Sequence, residues 1–124
     1  MRFLTFLLCL MALTASPTSQ QNSKKSPKIR LTLLVFQGCP NSPKMQHNLD
    51  EALKKLKFPA RYEIVDLFRL PKGDPRTGYA APTILINGKD LFGLPRPWAS
   101  DNRACRIYPG GVPSANDIAS RIRG

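Results

Sequence analysis

Histidine and tryptophan occur once each in this chain, as His47 and Trp98, and cysteine three times, as Cys9, Cys39 and Cys105. A lone histidine without other ligands near it in sequence does not make a zinc site, which takes several nitrogen and sulfur donors. No metal and no cofactor are therefore expected. Acids are also scarce. Eight Asp and Glu stand against 19 Lys and Arg, a formal net charge of +11. Such a surplus attracts nucleic acid, anionic lipid or acidic partners. The basic residues are scattered from Lys24 to Arg123, however, and form no stripe with interleaved aromatics. Nucleic acid is not expected as a partner, and the charge reads as a solubilising surface or as loose attachment to an anionic envelope. There is no internal repeat, and 124 residues suffice for one small domain. A monomer is expected.

What is present begins with "MRFLTFLLCLMALTAS". Arg2 forms a charged start, Phe3 to Leu13 an apolar run too short to span a membrane, and small residues follow. Residues 1–16 read as a secretory signal, with cleavage before Ala15 or Ser16, and a retained anchor is the other option. Loss of Arg2 with the leader lowers the charge from +11 to about +10. Cys39 and Cys105 then remain, in a secreted or periplasmic compartment where disulfides persist. Two cysteines permit one bridge. Residues 17–28, "PTSQQNSKKSPK", are polar and basic and read as a flexible linker.

The domain spans 29–124. Ile29 to Phe36 is apolar with almost no alternation, as in a central strand covered on both faces. Residues 42–57 place Met45, Leu49, Ala52, Leu53 and Leu56 on one helical face, with lysines in the last turns. Residues 60–68 alternate as a second strand, with Tyr62, Ile64 and Leu67 or Phe68 as anchors. Residues 69–80 read as an irregular loop. "PTILING" (82–88) is a third strand, and its Asn87-Gly88 pair predicts a hairpin to a short return strand over 89–93. After a proline-rich loop, Ser114 with Asp117 three residues on predicts a capped final helix that buries Ile118 and Ile122. Asp50, Glu51 and Asp74 read as solvated surface charges. A right-handed crossover makes the first two strands parallel. The pattern is an α/β fold with a four-stranded mixed sheet in the order 2-1-3-4 and helices packed on it.

Two segments of this plan carry a family resemblance. "VFQGCPNS" resembles the active-site turn of thioredoxin-like and glutaredoxin-like proteins, with Cys39 at a strand-to-helix junction. "AAPTILINGKDLFG" resembles their second signature, in which a cis-proline, here Pro82, opens the third strand and faces the active-site cysteine. The tail "ACRIYPGGVPSANDIASRI" is similar to that of small bacterial relatives sometimes labelled alkylmercury lyase. The likeness covers residues 29–123. The chain departs from the pattern at Ser42, which replaces the second cysteine and gives C-P-N-S as in monothiol members, and at Gly38, where no tryptophan precedes Cys39. Pro43 also leaves the start of the helix open: either Cys39 caps it and one N–H bond is missing, or Ser42 is the cap.

The resemblance implies thiol–disulfide exchange by Cys39. A helix N-terminus favours the thiolate, and Ser42 is placed to donate to it or simply to cap the helix. Ser42 cannot resolve a mixed disulfide, because that takes a second thiolate. Cys105 is the candidate resolving thiol, its alternative being a cysteine tucked under the last helix. Pro40, Ala81 and Pro82 would line the substrate site, with the backbone at Ala81 holding an incoming chain as an added strand. Trp98 would cover the thiol, offer a partner surface or pack on the core. The expected partners are disulfide- or thiol-bearing proteins and small thiols. Two rival readings are a non-catalytic binding module of the same fold and capture of a soft metal or organomercurial by Cys39 and Cys105.

Overall fold

The computed structural model describes residues 29–58, 61–93 and 105–124. The proposed signal, the linker and Trp98 lie outside the described residues. The elements are β1 (Leu31–Val35), α1 (Asn41–Lys55), β2 (Glu63–Asp66), β3 (Thr83–Ile86), β4 (Lys89–Asp90) and α2 (Ala115–Arg123). Two short 3-10 turns, Leu67–Arg69 and Pro75–Gly78, lie between β2 and β3.

The four strands form one mixed sheet in the order β2-β1-β3-β4, as the sequence predicts. β1 runs parallel to β2, with Leu34 opposite Val65, and antiparallel to β3, with Leu33 opposite Ile84. Asn87 and Gly88 have φ of 51° and 82°, the paired positive values of a tight two-residue hairpin between β3 and β4. β4 is shorter than expected because the chain turns away at once. The Asp90 side chain accepts from the Phe92 N–H, and the Gly93 N–H returns to the Asp90 carbonyl.

Residue parity in the strands sorts the apolar side chains into two layers. Leu31 and Leu33 of β1 and Ile84 of β3 face both helices, where they pack with Met45, Leu49 and Leu53 of α1 and Ile118 and Ile122 of α2. Leu34, Val65, Leu67, Ala81 and Leu85 form the second cluster on the opposite face. β1 is thus buried on both sides, which its unalternating sequence requires. The second strand corrects one expectation. Ile64 is 49% exposed, and its neighbour Val65 is the buried anchor. Pairing with Leu33 puts Ile64 on the helix-bearing face but at the sheet's β2 edge, whereas Val65 turns under the second cluster.

Polar contacts tie the middle and the end of α1 to the start of α2. Asn48 donates to the Pro113 carbonyl at 2.8 Å, and Lys55 to Asn116 Oδ1 at 2.6 Å. α2 starts in the expected capping box: Ser114 Oγ accepts from the Asp117 N–H, and the Asp117 carboxylate accepts from the Ser114 N–H. Asp50 and Asp74 are less solvated than expected. Asp50 accepts from the Tyr62 hydroxyl at 2.7 Å, and Asp74, with a 13% exposed side chain, holds Arg76 through both carboxylate oxygens.

Candidate redox site

The site is assembled where β1 ends and α1 begins. Past Val35 the chain makes a turn in which the Cys39 N–H reaches the Phe36 carbonyl at 3.3 Å. Gly38 has φ of 96°, a conformation that side-chain-bearing residues rarely adopt. Pro40 is the N-cap of α1, with no side-chain capping bond, and Cys39 immediately precedes it. Neither expected cap is found, and the reason is geometric. With Pro40 as cap, Pro43 becomes the third helical residue, within the turn whose N–H groups have no intrahelical acceptor. The helix begins at Asn41 without losing a bond to Pro43.

Ser42 is correspondingly not a cap. It is buried at 6% exposure, and its hydroxyl has no hydrogen-bond partner among the described residues. The first turn of α1 carries no acid and includes Lys44. An anion formed at Cys39 would therefore meet the positive end of the helix dipole with no carboxylate in that first turn to oppose it.

Cys39 and Cys105 are joined in a disulfide with Cα atoms 5.8 Å apart, across a sequence separation of 66. The two residues are not equivalent. Cys39 is 4% exposed, whereas Cys105 lies at the surface. Cys39 Sγ sits 3.6 Å from the carbonyl oxygen of Ala81. Ala81 is itself buried and is joined to the buried Pro82 by a cis peptide bond.

The segment that carries Cys105 docks beside Ala81. A parallel bridge pairs Ala81 with Cys105, and the Arg106 N–H donates to the Ala81 carbonyl at 2.5 Å. Side chains then alternate: Cys105 out, Arg106 in, Ile107 out at 88% exposure, Tyr108 in. Arg106 Nη1 donates to Thr83 Oγ1 at 2.9 Å and pairs with Asp90 Oδ2 at 2.7 Å, and its guanidinium stacks 4.2 Å from the Tyr108 ring centroid. The Tyr108 hydroxyl donates to the Pro82 carbonyl at 2.7 Å. Burial pushes the Tyr108 phenol up to about 12, so it remains a donor over the whole ordinary pH range.

Against the sequence reading, the structure brings together Cys39, Pro40, Ser42, Ala81, Pro82 and Cys105. His47 is exposed on α1. The expectation that Ala81 offers free backbone to an incoming strand is modified, since Arg106 already occupies its carbonyl. Sequence reasoning missed Asp90, Arg106 and Tyr108. The signal available for the last two was the alternation in "CRIY", a strand-like pattern flanked by loop residues.

No family model, no curated protein and no solved structure matches the chain. Among the described residues no group of three or more His, Cys, Asp or Glu is arranged to hold a metal ion, and no helix is long and apolar enough to cross a membrane.

Proposed function

We propose that the protein is a thioredoxin-like thiol–disulfide exchanger that acts outside the cytoplasm on small thiols or on proteins bearing thiols or disulfides. The observation that carries this reading is the Cys39–Cys105 disulfide itself: one cysteine precedes a helix N-terminus, and the other is open to solvent. An exposed sulfur admits a nucleophile, and the helix end favours the thiolate released when the bridge opens. The Ala81–Pro82 segment against Cys39 supports the same reading, as do the four strands in their order 2-1-3-4. The proposed signal sequence would place the protein where such a bridge persists.

One observation favours a second reading, a non-catalytic module with a structural bridge. Cys39 is deeply buried, and Arg106 fills the backbone acceptor of Ala81. Equilibration of the folded protein in glutathione buffers, followed by thiol alkylation and mass measurement, separates the two. Exchange requires that the bridge open and close reversibly in the native state, and Cys39→Ser should abolish disulfide reductase activity. A bridge that opens only after denaturation supports the structural module.

A further inference from the structure

We propose that the sulfur attacked from outside is Cys105 and that Cys39 is the leaving and resolving thiol, the reverse of the roles that the C-P-N-S motif suggests. This polarity rests on the exchange reading above. The two ends of the bridge differ in access. Thiolate attack requires in-line approach to the sulfur from the side opposite its partner, so access decides which sulfur reacts. Cys39 is 4% exposed and its sulfur lies 3.6 Å from the Ala81 carbonyl oxygen, so little of it is open to an incoming thiol. Cys105 is at the surface on a segment whose next residue but one, Ile107, is 88% exposed.

The chemistry balances without any group beyond an external thiol. The incoming thiolate forms a bond to Cys105 Sγ as the bond between the cysteines breaks, and Cys39 departs with the electron pair. That charge appears at the N-terminus of α1, whose first turn is free of acids. Ser42, in that same first turn, holds a buried hydroxyl with no hydrogen-bond partner among the described residues. A second external thiolate then attacks the incoming sulfur, expelling Cys105 as thiolate. The external pair leaves oxidised to a disulfide, and the protein is left as a dithiol. If Cys39 thiolate instead attacks Cys105 Sγ first, the external thiol is expelled and the bridge re-forms. Cys39 therefore shortens the lifetime of an adduct on Cys105 in competition with external thiol.

The test uses the full chain with glutathione as probe. Cys39→Ser, which retains Cys105, should take up glutathione from its disulfide at least about tenfold faster than Cys105→Ser, and should keep it. A second measurement needs no variant. Brief exposure of the parent protein to reduced glutathione, acid quench, alkylation and peptide mapping should place glutathione on Cys105 and the alkyl group on Cys39. Glutathione found on Cys39, or equal uptake by the two variants, overturns the polarity while leaving exchange intact. A parent bridge untouched by dithiothreitol in the folded protein overturns the exchange reading and the polarity together.

Discussion

Asp90 and Arg106 meet at 2.7 Å with side chains 3% and 8% exposed, and the guanidinium also bonds Thr83 and stacks on Tyr108. Isolating one charge in such a place costs far more than the pair contributes, because the remaining charge is buried without compensation. Asp90→Ala should destabilise the protein by about 3–5 kcal/mol in urea unfolding, while the double change to Asp90→Leu and Arg106→Met should lose much less. Equal losses for the single and double variants would show that packing, rather than the stranded guanidinium, sets the cost. This pair was not legible in the sequence. Charged residues are ordinarily exposed, and nothing local links a hairpin aspartate to an arginine 16 positions later. Cys39, Ala81 and Pro82 were legible because their motifs are local: a strand, a turn and a proline fix each in place. Cys105 stood between two readings, since sequence gives no distance across the long loop before it.

At the scale of elements, α1 ends in a tight C-terminal turn. The Phe58 N–H reaches back to the Leu53 carbonyl and the Lys57 N–H to that of Lys54, with Lys57 itself at φ 54°. This left-handed position favours glycine. Lys57→Gly should raise stability by about 0.5–1 kcal/mol, read as a shift in the denaturation midpoint at unchanged slope. A loss instead would mean that the lysine chain makes a compensating contact in solution. Ser114→Ala, which removes the capping box of α2, should cost about 1 kcal/mol in the same assay. The cap of α2 was legible because capping chemistry is written in adjacent residues. The cap of α1 was not, because Cys39 and Ser42 compete for it on either side of the observed position, and the helix settles on Pro40, where Pro43 loses nothing. Strand ends were overextended in the sequence reading for a similar reason. Apolar residues continue past Asp66 and Asp90, but each aspartate captures an N–H two residues on and turns the chain.

For the molecule as a whole, two phenols tie the sheet to its surroundings, Tyr62 through Asp50 and Tyr108 through Pro82. Both are pushed up to about 12, chiefly by burial, Tyr62 also by its bond to the Asp50 carboxylate. In the unfolded chain they release protons near pH 10, so the folded state holds more protons above that value. Stability from this source is complete below about pH 10 and declines as the pH climbs toward 12. Melting temperatures across that window should fall, and Tyr108→Phe should flatten the fall while costing about 1 kcal/mol near neutrality for the lost hydrogen bond. The Cys39–Cys105 bridge acts at the same scale, since it closes a separation of 66 residues. Closing a loop of that length in the unfolded chain corresponds to about 4 kcal/mol of folding free energy. Folding and bridge formation are two edges of one thermodynamic square, so whatever the bridge adds to the fold, the fold returns to the bridge. At about 1.4 kcal/mol per factor of ten, the native state should raise the effective concentration of one thiol at the other by about a thousandfold over the unfolded chain. A melting curve with and without reductant and a glutathione equilibrium are then two readings of one quantity. Any gap between them measures how far the reduced protein departs from the oxidised fold.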